Sequence, residues 1–175
     1  MDEFDVQQAD NKEYVLNMVK QDGKLLDLVS SRLQDDEEVV MEAVKQNPIS
    51  LEFASSRLKN NAQIVMESVS RVGWTACYAS EKLRANKEIM LPGLKIDGQI
   101  LYYASKELRD DKEAVLAAVT NKGLILKYAS NRLRRDKEIV LAAIKQDKRA
   151  KEYIASEELK NDEDIQLILN PPQEG

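Results

Sequence analysis

The sequence predicts an all-α fold: about six antiparallel helical hairpins of roughly 25 residues each, stacked as a short curved solenoid with a C-terminal capping half repeat. Three observations carry this. Residues 111–135, DKEAVLAAVTNKGLILKYASNRLRR, match the rest of the chain again and again at a step of 25 residues, and a fixed period dictates architecture before single residues are read. Each period holds a dense apolar cluster and then a sparser one, both at helical spacing. One such unit buries too little apolar surface to offset the entropy of ordering its backbone, so units must stack on their neighbours.

Each unit opens on a polar residue: Asn11, Asp36, Asn61, Asn86, Asp111, Asp136 and, after one inserted residue, Asp162. A side-chain oxygen there accepts a bond from a first-turn N–H. Spacing leaves open whether the cap is this residue or the one before it, Asp35 or Asp110. A carboxylate follows two residues later at Glu13, Glu38, Glu88, Glu113, Glu138 and Asp164, at the positive end of the helix dipole. The apolar cluster, as in Ile139, Val140, Leu141, Ala143 and Ile144, covers most of the circumference and predicts a first helix buried between neighbours. The helix stops at Gly23, Pro48, Gly73, Gly98 and Gly123.

A second helix of about ten residues is then predicted from spacings such as Ile125, Tyr128, Ala129 and Leu133. Its large apolar row is Leu28, Phe53, Tyr78, Tyr103, Tyr128 and Tyr153. Ala–Ser pairs follow (Ala54-Ser55, Ala79-Ser80, Ala104-Ser105, Ala129-Ser130, Ala155-Ser156), and Leu33, Leu58, Leu83, Leu108, Leu133 and Leu159 close the motif. The small pair reads as close helix packing. A serine row with no accompanying base is not a row of nucleophiles.

The segment Asp136-Lys137-Glu138-Ile139-Val140-Leu141-Ala142-Ala143-Ile144-Lys145-Gln146, with the later Tyr-Ala-Ser and Leu positions, resembles the tandem repeats of an uncharacterised family, domain of unknown function 4116. The resemblance covers about residues 11–169 and departs most in the first unit, where Leu28-Val29 replaces the aromatic–Ala pair. The family has no established activity, so the resemblance implies a helical repeat and no functional residues.

One domain is expected over residues 11–170, with units starting near 11, 36, 61, 86, 111, 136 and 162, a polar lead-in over 1–10 and a mobile tail over 171–175. Pro92-Gly93 falls inside the fourth first helix, where the other units have Asn17, Glu42, Glu67, Ala117 and Ala142. This predicts a kink or a shortened helix near residues 90–94, either as a local bend or as a shaped step in a ligand groove.

The chain has no histidine and one cysteine, which argues against a disulfide framework, a zinc site and a His-based relay, and hence against an enzyme or a cofactor. The acidic run Asp35-Asp36-Glu37-Glu38 lacks the spaced ligands and glycine of a calcium loop. No apolar run is long enough to span a membrane. The amino terminus is polar and acidic, so a cytoplasmic location is expected. Lys/Arg against Asp/Glu number 5 to 12 over residues 1–50, 19 to 12 over 51–150 and 2 to 7 over 151–175, so a basic middle lies between acidic ends.

Two candidate sites emerge. The basic row Arg57, Lys59, Lys82, Arg84, Arg109, Arg132, Arg134 and Arg135 would form a stripe if units stack in register. The competing reading is dipole complementation at helix ends. Trp74, Cys77 and Tyr102 stand out against charged or polar siblings and point to an apolar contact patch. The leading function is a protein- or peptide-binding scaffold working through a groove of the second helices. The alternative is a binder of an anionic ligand, single-stranded RNA or acidic lipid headgroups, through the basic middle, which salt would weaken.

Overall fold

The computed structural model describes residues 4–171, and among these every regular element is helical. The predicted mobile tail lies, apart from Pro171, outside the described residues. Two compact units are present, Met1–Arg84 and Ala85–Gly175. The first contains α1 (Lys12–Gln21), α2 (Ser31–Gln34), α3 (Glu37–Gln46), α4 (Ala62–Val69) and α5 (Glu81–Arg84). The second contains α6 (Lys87–Ile96), α7 (Lys112–Asn121), α8 (Lys137–Gln146), α9 (Glu157–Lys160) and α10 (Glu163–Leu169).

The long helices begin where the polar column places them. Asp36 accepts from the N–H groups of Glu38 and Val39, and Asp111 from that of Ala114, so these residues and not Asp35 or Asp110 are the caps. Val39, Val40, Ala43 and Val44 are fully buried on α3, as are Ile139, Val140, Ala143 and Ile144 on α8. Successive long helices pack directly on one another, α1 on α3 in the first unit and α6 on α7 and α7 on α8 in the second.

The second segment is not the predicted ten-residue α-helix. It is a six-residue 3₁₀ helix, as at Gly98–Tyr103 and Gly123–Tyr128, then one extended residue and a short turn. One buried row runs at intervals of three, Gly98, Leu101 and Ala104 or Gly123, Leu126 and Ala129, which matches the 3₁₀ repeat, and Ile100 and Ile125 are buried beside it. The alanine is extended, and the serine after it restarts the chain by capping: Ser55, Ser105 and Ser130 accept from the N–H groups of Leu58, Leu108 and Leu133. Serine is therefore present for its oxygen and alanine for its small size.

Polar clips join neighbouring repeats within each unit. The N–H of Ser55 donates to the Gln34 carbonyl at 2.9 Å, and that of Ser130 to Arg109 at 2.8 Å. The hydroxyls of Ser55 and Ser130 donate to Asp35 and Asp110, and Arg57 and Arg132 meet the same carboxylates at 3.0 Å. Ser30 and Arg32 do the same to Asp10. Near the helix starts, Lys12, Lys87, Lys112 and Lys137 each bridge two carboxylates at the start of the next long helix at 2.8–2.9 Å. All four carboxylates of the Asp35–Glu38 run have partners of this kind, Glu37 through the Asn61 amide.

The clips make a pH prediction. The serine hydroxyls first, and the arginines second, hold the carboxyls of Asp10, Asp35 and Asp110 below their ordinary value. A carboxyl depressed in the fold stabilises it above the unfolded value and loses that contribution as pH falls through the folded value. The melting temperature should thus fall below about pH 4, and less steeply in Asp35→Asn plus Asp110→Asn. An equal acid response in that variant and the parent contradicts the assignment.

Pro92 does not shorten its helix. α6 keeps the ten residues of α3, α7 and α8, because the proline removes only its own bond while those from Met90 to Asn86 and from Asp97 to Gly93 remain. The long helix that ends early is α4, at Val69, which packs against the segment begun by Pro48. Pro48 stands in the column where Gly23, Gly98 and Gly123 lie against a helix carbonyl with no room for a Cβ, and the proline ring needs that space.

Candidate functional site

The outward face of the long helices differs between the two units. In the first, half-buried Leu16, Met41 and Met66 are each followed by a polar residue, Asn17, Glu42 or Glu67. In the second, Leu91, Leu116 and Leu141 are followed by Pro92, Ala117 and Ala142, all half-buried, and exposed Leu167 by Ile168 on α10. Small or apolar residues at the second position leave the leucines flanked by open space.

Two adjoining grooves result. One of about 800 Å³ lies between α7 and α8, with Leu116, Leu141 and Ala142 as its floor and Thr120 and Lys145 toward its C-terminal end. The other, about 460 Å³, continues past Leu116 and is bordered by Ala117, Thr120 and Lys95. Both lie on the first helices, not along the second ones as the sequence pointed to.

The rim charges are unequally matched. At the N-terminal end Glu113 and Glu138 are held by Lys87 and Lys112. At the C-terminal end Asn121 and Gln146 turn inward, accepting from the N–H groups of Gly98 and Gly123. Lys95 and Lys145 have no carboxylate within 4 Å among the described residues, whereas Lys45 of the first unit pairs with Glu42 at 2.9 Å.

The predicted basic row divides into four residues with internal partners and four without an ion pair among the described residues. Besides Arg57 and Arg132 in their clips, Arg84 donates to the Cys77 carbonyl at 3.4 Å, and Arg109 to those of Ala104 and Tyr102 at 3.1 and 2.6 Å. These two close the C-terminal ends of 3₁₀ helices. Lys59, Lys82, Arg134 and Arg135 make no ion pair among the described residues, and the Arg134 Nε is buried without a hydrogen-bond partner.

The predicted apolar patch is divided between the units. Trp74 and Cys77 share the 3₁₀ helix Gly73–Tyr78 of the first; Trp74 is 39% exposed and meets Tyr78 edge-on at 5.8 Å. Burial pushes the Cys77 thiol up, away from the reactive thiolate. Tyr102, in the second unit, is 52% exposed, with Tyr103 and Tyr128 both 5.1 Å away and Lys127 over the Tyr128 ring at 4.7 Å. The sequence reading missed the two grooves, although the Ala117 and Ala142 column was visible beside Pro92.

Among the described residues no helix is long and apolar enough to cross a membrane. No curated protein and no solved structure gives a match to the chain. The profile of the family described as Domain of unknown function (DUF4116) matches residues 11–59, 61–109 and 111–154, so that each match spans two of the 25-residue repeats. With most of its length matched in three tandem copies that coincide with the helical repeats of the structure, the chain belongs to the DUF4116 family.

Proposed function

We propose that this protein is a non-catalytic scaffold that binds a protein or peptide segment on the long-helix face of its second unit. The observation that supports this is the pair of adjoining apolar grooves around Leu116, open where the first unit carries Asn17, Glu42 and Glu67 in the same column. Aligned repeats make an extended surface, and a floor of leucine and alanine flanked by polar side chains suits a partner's apolar side chains better than a solvated phosphate. The commitment of Arg57, Arg84, Arg109 and Arg132 to internal partners weighs against an anion-binding stripe.

The test is capture from a nuclease-treated lysate on immobilised chain, compared with Ala117→Glu plus Ala142→Glu. Specific proteins should resist elution by salt and disappear with the double variant. Capture that survives the variant, or that salt alone abolishes, contradicts the groove and points to the basic residues instead.

A further inference from the structure

Resting on that reading, we infer that the groove takes an acidic–apolar segment: two large apolar side chains seated on either side of Leu116, with a carboxylate toward Lys145 at the end of the larger groove. The inference comes from a coupled change between repeats. In α3 the residue after the outward Met41 is Glu42, and it fills the face and neutralises Lys45. In α8 the same position is Ala142, and in α6 it is Pro92. Losing the carboxylate does two things together: it opens an apolar floor, and it leaves Lys145 and Lys95 without their internal anion. The acidic groups at the opposite rim are already paired, so the unmatched charge at this site is positive.

The geometry also sets the spacing. Neighbouring packed helices stand about 8–10 Å apart, so side chains entering the two grooves must be separated by roughly that distance along the ligand. A segment with apolar residues at i and i+7 of a helix, about 10 Å apart, meets this requirement. The lysine at the groove end then faces a carboxylate placed between or just beyond them. Charge matching of this kind selects the partner, while burial on the leucine floor supplies most of the affinity.

The probe is a displayed library of random peptides of roughly twelve residues, long enough to cross both grooves, selected on the immobilised full chain. The expected consensus carries two large apolar residues and Asp or Glu. The synthesised consensus peptide should bind about tenfold more weakly to Lys145→Glu and recover when its own carboxylate is changed to lysine. Ala142→Glu should weaken it by at least about thirtyfold, because it refills the floor and neutralises Lys145 at once. Glu42 and Glu67 occupy that column naturally, so the variant should fold, which its circular dichroism and melting curve report. A basic or uncharged consensus, or indifference to Lys145→Glu alongside loss with Ala142→Glu, overturns the acidic partner and leaves the groove standing. Failure to enrich any peptide, or indifference to Ala142→Glu, overturns both.

Discussion

Gly123→Ala is expected to destabilise the second unit by about 3 kcal/mol or more. A Cβ at that position would fall far inside contact distance of the Ala143 carbonyl oxygen, and within 3.1 Å of the Asp147 backbone nitrogen. Neither is the movable end of a side chain, so the helix itself must shift. No described residue has a positive φ, so the cost is one of space and not of backbone conformation. The same shift would loosen the bond from the Gly123 N–H to the Gln146 amide, which ties the end of α8 to the preceding repeat. Denaturant unfolding of the variant checks this. A loss below about 1 kcal/mol means that the slot can open, and the close approach then does not hold the repeats at their spacing.

The second large effect separates packing from binding. Leu126 and Leu141 have the same chemistry and lie 15 residues apart, but Leu126 is fully buried in its 3₁₀ helix while Leu141 is half-buried on the groove floor. Leu126→Ala should cost about 2–5 kcal/mol, the transfer of its side chain plus the cavity left behind. Leu141→Ala should cost about 1 kcal/mol or less, since water already reaches the site, yet it should weaken peptide binding about tenfold or more. Equal losses of stability at the two positions would show that Leu141 is core, and the groove would then be a packing defect.

These contrasts show what the sequence made legible. The 25-residue period and the buried face of the long helices follow from residue type and spacing, because each depends on local chemistry, whereas the choice of Asp36 over Asp35 and of Asp111 over Asp110 as caps needed the hydrogen bonds of the fold. The 3₁₀ form of the second segment did not. Apolar residues three and four apart are both available around Leu126, and only the extended alanine before Ser130 decides between the two helix types. The arginine row was ambiguous for a similar reason. Dipole complementation and the clip to Asp110 predict the same residue at Arg132, and its partner lies 22 residues earlier in the chain.

Some of what was missed was present as pairs of columns. Gly23, Gly98 and Gly123 are each followed 23 residues later by Gln46, Asn121 or Gln146, whose side-chain oxygen accepts the glycine N–H. Where the glycine is Pro48, with no N–H to give, the partner is Arg71, which has no acceptor and donates instead to the carbonyls of Val44 and Lys45. The Glu42–Lys45 pair and its absence at Ala142 and Lys145 form a second such set. Read one column at a time, Pro92 looked like a defect in a helix. Read with Ala117 and Ala142, it is part of the change that opens the long-helix face.

The most direct test is a nitrogen-edited NMR titration of the full chain with the selected acidic–apolar peptide. The account predicts that amide shifts concentrate on α7 and α8, around Leu116, Thr120, Leu141, Ala142 and Lys145, with Tyr102, Tyr103 and Tyr128 little changed. Shifts centred on those tyrosines, or on Arg132, Arg134 and Arg135, would contradict it and move the binding surface to the 3₁₀ helices and the turns that follow them.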